Sequence, residues 1–303
     1  ENILVTSGSQ QGLDFAAKIF INPGDIIVCE SPTYLGAINA FKAYEPKFIE
    51  VSTDDHGMDM DELEEVLKSN DRVRFIYVIP DFQNPSGKTW SVERRKKLVE
   101  LANKYNVAII EDSPYGELRF EGEILPSIKH FDTEGRVAFL GTFSKILSPG
   151  LRLGWVVADQ ELLSKFILVK QGADLQSSTI SQVEVAKFLE VYDLDIHIQK
   201  IIDLYKHRRN VMMEAIEKEF PKEVKYTYPQ GGLFTWIVMP EYMNARELAT
   251  KALEYNVAYV PGGSFFPNGG NENTARLNYS NMSDEKIREG IKALGKVIKE
   301  ALR

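Results

Sequence analysis

Short runs of β-branched and aromatic residues alternate along this chain with amphipathic stretches whose apolar positions recur at helical spacing. Such alternation is the pattern of βαβ units and a largely parallel sheet. It predicts an α/β fold, with a mostly parallel sheet flanked by helices and a smaller α+β domain at the C-terminal end. Ile3-Leu4-Val5-Thr6-Ser7-Gly8 reads as a strand running straight into a Gly/Ser turn, Gly8-Ser9-Gln10-Gln11, with a helix expected from Gly12 to Phe20. Further strands are expected at Asp25 to Glu30, Lys47 to Val51, Phe75 to Ile79, Val107 to Glu111, Val137 to Gly141 and Leu153 to Ala158. Helices are expected at Met60 to Lys68 and at Val92 to Tyr105, the second capped by Ser91. From Thr179 to Phe220 the pattern is almost wholly helical, and Ile198, Ile201, Ile202, Tyr205 and Met212 fall near one face. This segment suits a bridge between a large domain, residues 1–200, and a small one, residues 201–303. In the small domain, strands are expected at Leu233 to Val238, Ala258 to Val260 and Ala275 to Tyr279, and helices at Ala245 to Tyr255 and Asp284 to Leu302.

In open α/β sheets ligands bind beyond the carboxyl ends of the strands, so the polar residues there carry the chemical information. After the Val137 strand come Thr142, Phe143, Ser144 and Lys145, then Pro149, Gly150 and Arg152. A lysine amine forms a Schiff base with a carbonyl once deprotonated, while hydroxyls and a forked guanidinium suit phosphate oxygens. The group therefore suits a phosphorylated aldehyde; the bland alternative is that Lys145 is a solvated surface residue. Ser9 and Gln10, at the start of a helix, offer amides to an anion, or Ser9 simply caps the helix. Asp112 closes an apolar strand, and a carboxylate buried there needs a cation, such as a protonated ring nitrogen, unless it only caps a turn. Tyr115 is placed to reach a neighbouring ring oxygen or to pack. Asn84 has an amide for the same oxygen, although Asn84-Pro85-Ser86-Gly87 also suits a plain turn. Tyr34 suits stacking on a flat ring or an ordinary core position. Arg276, inside an apolar strand, must be paired, either with a substrate carboxylate or with a structural acid. Gly231 and Gly232 permit close approach of a ligand to the backbone, or make a bend.

The 303 residues carry a net charge of -8, with 44% hydrophobic and 26% charged positions, which gives no basic footprint for nucleic acid or for an anionic membrane surface. Small-molecule chemistry is favoured. Cys29 is the single cysteine, and the four histidines are scattered, so neither an intrachain disulfide nor a metal cluster is expected. A reducing, cytoplasmic setting follows. No apolar run approaches the ~20 residues that span a bilayer, and no membrane association is expected. The chain opens on Glu1 and enters a strand almost at once, from which further residues upstream are expected.

Read together, Thr6-Ser7-Gly8-Ser9-Gln10-Gln11, Glu30-Ser31-Pro32-Thr33-Tyr34, Gln83-Asn84-Pro85-Ser86-Gly87, Glu111-Asp112-Ser113-Pro114-Tyr115, Thr142-Phe143-Ser144-Lys145, Pro149-Gly150-Leu151-Arg152 and Ala275-Arg276-Leu277-Asn278-Tyr279 resemble, in order, the motifs of the class I/II, fold type I pyridoxal-phosphate aminotransferases. The branch resembled is that of the 2-aminoadipate and kynurenine aminotransferases and of the MocR-type regulators. The resemblance implies pyridoxal 5'-phosphate as cofactor, Lys145 as its covalent attachment and proton shuttle, and Asp112 as partner of the ring nitrogen. It implies further that Asn84 and Tyr115 hold the ring hydroxyl, that Tyr34 stacks on the ring, and that Ser9, Gln10, Ser144 and Arg152 take the phosphate. Arg276 would bind the substrate α-carboxylate, with Asn84 beside it, and Gly232 would line the substrate side. Ping-pong transfer of an amino group from an amino acid to a 2-oxo acid, by a homodimer, is the activity implied. The alternatives are a cofactor-binding effector domain of a transcriptional regulator and a lyase or racemase using the same cofactor. The resemblance also implies an N-terminal arm, expected to lie upstream of Glu1 and to be missing from this sequence.

Overall fold

A computed structural model describes residues 2–303. Eight strands form the principal sheet: β1 Ile3–Thr6, β2 Ile26–Ser31, β3 Lys47–Asp54, β4 Gly57–Met58, β5 Val73–Val78, β6 Ala108–Asp112, β7 Val137–Thr142 and β8 Gly154–Val157. Their order is β1-β8-β7-β6-β5-β2-β3-β4. Strands β7, β6, β5, β2 and β3 run parallel, while β8, β1 and β4 pair antiparallel at the two sides. The sheet is thus mostly parallel, as the alternating pattern predicts. From β2 the chain steps outward to β3, then returns to β5 on the other side of β2 and proceeds to β6 and β7. The switch point therefore lies between β2 and β5, and a crevice opens at their carboxyl ends.

The helices are α1 Ser9–Phe20, α2 Leu35–Lys42, α3 Met60–Ser69, α4 Val92–Tyr105, α5 Gln160–Ala173, α6 Thr179–Val191, α7 Leu194–Glu219, α8 Ala245–Glu254 and α9 Asp284–Ala301. Side chains alternate across the sheet, and the two faces bury separate cores. On one face Ile27, Cys29, Phe75, Tyr77, Ile110 and Leu140 pack under α1, α2 and α5. On the other, Val28, Ile76, Val78, Ile109 and Val137 meet Leu63, Leu67, Leu98 and Leu101 of α3 and α4. Full burial of each such side chain is worth about 1.5–3 kcal/mol, so the parallel strands read as unbroken apolar runs. Helix α4 begins where Ser91 Oγ accepts from Arg94 N–H at 3.2 Å and stops at Asn106, whose φ of 56° ends the helix in the left-handed region.

One local expectation is corrected. The helix expected from Gly12 starts at Ser9, because Gly8, at φ 78°, turns the end of β1 into the helix without a four-residue loop. Ser9 is in the first turn and is not the cap; Gly8 is, and no side chain caps the helix.

A second sheet, β11-β12-β10-β9, comprises β9 Lys225–Tyr226, β10 Phe234–Val238, β11 Val260–Pro261 and β12 Thr274–Asn278, all antiparallel. With α8 and α9 it buries Ile237, Leu277, Ile287, Ile291 and Leu294 in a third core. Helix α7, 26 residues and about 39 Å long, contributes Ile198 to the first core and Val211, Met212 and Ile216 to this one. No helix among the described residues is long and apolar enough to cross a membrane.

Candidate active site

A cavity of about 620 Å³ occupies the crevice at the carboxyl ends of β2, β5, β6 and β7. It is closed on one side by the second sheet. Ser9, Gln10, Tyr34, Asn84, Asp112, Tyr115, Ser144, Lys145, Arg152 and Arg276 all line it. Gly232 does not. Its N–H donates to Leu118 O at 2.9 Å, and at φ 72° a Cβ would lie 2.6 Å from Phe82 Cβ, so this glycine serves chain packing outside the cavity. The expectation that it lines the substrate side is corrected on that ground.

One end of the cavity is built for an anion. The first turn of α1 has no side-chain cap; Gln11 N–H donates to Gly8 O at 3.3 Å, and the Ser9 and Gln10 amides have no side-chain acceptor. Gly8 makes room for Arg152, since a Cβ there would sit 2.4 Å from Arg152 Nη2. Ser144 N–H donates to Thr142 Oγ1 at 3.1 Å, and Arg152 Nη1 lies 3.4 Å from Ser144 Oγ, so hydroxyl and guanidinium converge. Among the described residues Arg152 has no carboxylate partner. The side chain of Gln10 is committed to Gly36 O at 2.8 Å, which leaves its backbone amide for the anion. A helix end supplies about 0.3–1 kcal/mol, whereas each hydrogen bond to a charged group supplies about 1.5–3 kcal/mol, so the guanidinium dominates.

Deeper in the crevice, Asp112 is buried and its Oδ2 accepts from the Tyr77 hydroxyl at 2.9 Å. Oδ1 has no partner. Burial pushes the carboxyl from 3.8 up to about 7, opposed by the Tyr77 hydrogen bond and the Lys145 charge. A buried acceptor left bare costs about 1–3 kcal/mol, and a cationic N–H donor is the group that would relieve it. Tyr77 was not singled out from the sequence. It points into this face by strand periodicity, but only the β5–β6 register, Tyr77 opposite Ile110, brings it to Asp112.

Asn84 joins the two sides of the cavity. Its Nδ2 donates to the Tyr115 hydroxyl at 3.3 Å, and its Oδ1 accepts from Arg276 Nη1 at 2.8 Å. Arg276 lies over the Phe234 ring at 4.1 Å and near the Phe265 ring at 5.2 Å. Its Nε is buried without a partner, and no carboxylate of the described residues pairs with it. The structural acid considered for Arg276 is therefore not there. Lys145 lines the same cavity as Arg276 and Arg152. Burial and the charges of Arg152 and Arg276 depress its amine below the usual lysine range, against the pull of Asp112. A lysine so placed holds a larger share of free amine near neutrality.

Comparison with known proteins agrees with this geometry. The model of the family "Aminotransferase class I and II" matches residues 1–294. The aromatic-amino-acid aminotransferase 1 of Thermococcus litoralis is 50% identical over 306 aligned positions, which cover 100% of this chain and 73% of that protein. The structure of Pyrococcus horikoshii kynurenine aminotransferase in complex with PMP matches with a TM-score of 0.97 at 45% identity, over 99% of this chain and 76% of that one. The structure of the Thermus thermophilus α-aminoadipate aminotransferase, complexed with N-(5'-phosphopyridoxyl)-L-leucine, matches with a TM-score of 0.94 at 42% identity, over 99% and 77%. The cofactor is pyridoxal 5'-phosphate, and the residues present fit it: an anion cup at Arg152, a lysine amine depressed below its ordinary range, and a bare buried carboxylate oxygen at Asp112. This chain belongs to the class I and II aminotransferases, and it transfers an amino group from an amino acid to a 2-oxo acid.

Proposed function

We propose that the crevice is the site of transfer, with each residue in a distinct role. Ser9 and Gln10 through their amides, with Ser144 and Arg152, hold the phosphate of the cofactor. Lys145 holds its aldehyde carbon. Asp112 Oδ1 accepts from the ring nitrogen, Asn84 and Tyr115 hold the ring oxygen, and Tyr34 covers the ring. When bound, pyridoxal phosphate supplies the carbonyl that captures the amino group and a ring that delocalises the electron pair left at the α-carbon. Arg276 Nη and Nε bind the substrate α-carboxylate, and that contact holds the α-hydrogen toward Lys145 Nζ. Once the substrate amine has displaced it from the aldehyde carbon, Lys145 would take the proton; its depressed amine is suited to this near neutral pH. The closed side of the crevice, with Phe234 and Phe265 around Arg276, keeps water from that ion pair.

The observation that carries this reading is Arg276, a half-buried cation facing the cavity with no acid of its own. Leu35, Val260 and Phe265 give the adjoining wall an apolar character, which supports amino acids with aromatic or long side chains as donors. A screen of single amino acids against the holoenzyme, followed by the change in cofactor absorbance, tests both points. Aromatic and long-chain donors should react fastest, and equal rates with glycine would discard the apolar wall as a determinant.

We divide the chain at residues 200 and 201, inside α7, because one core gathers Ile198 and the other Val211 and Ile216. A homodimer is supported by exposed Ile180, Val183 and Val191, which fall on one side of α6 by helical spacing and which a second copy would cover. Sedimentation of the purified protein tests this. The single cysteine, Cys29, buried and unpaired, fits a reducing cytoplasm.

A further inference from the structure

Glu30 is 2% exposed and faces no cation within ion-pairing distance among the described residues. It does not itself line the cavity, and neither of its hydrogen-bond partners is a residue assigned to the cofactor. Its two oxygens nevertheless have distinct partners. Oε2 accepts from Ile79 N–H at 2.9 Å, and Oε1 accepts from Trp90 Nε1–H at 2.8 Å. Ile79 and Trp90 are the two ends of the segment that carries Asn84. Within the segment Trp90 N–H donates to Pro80 O at 2.8 Å and Gln83 N–H to Lys88 O at 2.8 Å, so its two limbs are tied to each other. The end of β2 grips the tip as well, since Gln83 Nε2 donates to Pro32 O at 2.6 Å while Gln83 Oε1 accepts from Ser86.

We propose that Glu30 is a positioning residue: by clamping both ends of the Ile79 to Trp90 segment it fixes where Asn84 meets Tyr115 and Arg276. The clamp requires acceptors at both oxygens. Burial raises this carboxyl to about 7, against the Ile79 and Trp90 donors, which favour the anion; the anion is acceptor-only, whereas the amide of a glutamine presents two N–H groups on one side and must face one of the two donors with another donor. The rest of the segment is held by Arg95 of α4, whose guanidinium binds Asp81, Pro80 O and Trp90 O. Loosening Glu30 therefore tilts the segment about that anchor, and the displacement is carried to Asn84 through Pro80 to Gln83.

This inference rests on the role of Asn84 proposed above, and Asn84→Ala is the reference variant. Holoenzymes of Glu30→Gln, Trp90→Phe, the double variant and Asn84→Ala are compared by KM and kcat for one amino donor, by the pH midpoint of cofactor absorbance, and by Tm. Glu30→Gln should lower kcat/KM roughly tenfold, the scale of one disrupted buried hydrogen bond, chiefly through KM. It should also move the absorbance midpoint in the direction that Asn84→Ala does. In the double variant the opposing indole N–H is gone, so KM and the midpoint should return toward wild type while Tm stays low. A Glu30→Gln enzyme with lowered Tm but wild-type KM and midpoint overturns the proposal and leaves Glu30 a core residue. Should Glu30→Gln fail to fold, Trp90→Phe alone, which removes one arm of the clamp, decides by the same two readouts. Wild-type values in Asn84→Ala itself would overturn the Asn84 assignment, and the clamp with it.

Discussion

The Tyr77 hydroxyl donates to Asp112 Oδ2 at 2.9 Å and leaves Oδ1 of the same buried carboxylate bare. One oxygen is fixed by the protein, and the other is the one proposed above to meet the ring nitrogen. Replacing Tyr77 by Phe removes the fixed bond, lets burial raise the carboxyl further, and weakens its hold on a ring nitrogen. Cofactor affinity should fall by about fivefold, the scale of one hydrogen bond of about 1 kcal/mol, as measured by titrating the apoprotein with pyridoxal phosphate.

The raised carboxyl of Asp112 also gives the apoprotein a pH signature. With its folded value about 7 and its ordinary value 3.8, the folded state binds the extra proton between the two. Stability therefore falls as pH rises from about 4 to 7 and is level above that. Glu30 and Glu111 are also buried and raised to about 7, so wild type alone cannot isolate the effect. Asp112→Asn keeps an acceptor for Tyr77 without the charge. Its denaturant stability relative to wild-type apoprotein should improve by a few kcal/mol, at most about 4, on going from pH 4 to 8; a constant difference would contradict the buried charge.

Lys145→Ala should abolish the adduct that borohydride fixes between protein and pyridoxal phosphate. The phosphate cup is untouched, so non-covalent binding should persist. Peptide mapping of the reduced holoenzyme checks it, and an adduct retained at full yield on another lysine would sink the assignment.

Arg276→Lys keeps the charge but loses the planar fork. KM for amino acid and 2-oxo acid should both rise, by roughly tenfold or more, on the scale of a lost charge-assisted hydrogen bond. Cofactor absorbance should be unchanged. Release of the cofactor with unaltered KM values would make Arg276 a structural residue.

Gly8→Ala places a Cβ against Arg152 Nη2 at a φ of 78°. Either the guanidinium moves or the turn into α1 opens, and both spoil the cup. Affinity for inorganic phosphate and for pyridoxal phosphate should fall together, measured by calorimetry on the apoprotein, while Tm of the apoprotein drops by a few degrees, on the order of the 1–2 kcal/mol cost of a strained backbone.

The strands and the residues at their ends were legible because β-rich runs and polar strand ends are local properties of the chain. Lys145, Asp112 and Asn84 each follow an apolar run, and the sheet order brings those runs side by side. What was not legible depends on register or on close packing. Tyr77 meets Asp112 only through the pairing of β5 with β6. Gly232 looked equally suited to a ligand or a bend, and only the position of Phe82 beside it decides for packing. The start of α1 was misplaced because Gly8 makes in one residue a turn that the sequence spreads over four.

Helix α7 has one end in each of two cores, with Ile198 among the residues packed on the principal sheet and Val211, Met212 and Ile216 among those under the second. Neither core can melt while the helix stays whole, because the freed half would expose its apolar side chains to water and drag on the turns still packed. The two parts of the chain should consequently unfold together. Calorimetry of the holoenzyme should give a single endotherm, with calorimetric and van't Hoff enthalpies in agreement. A break engineered into the middle of α7, for example Leu204→Pro, should split it into two.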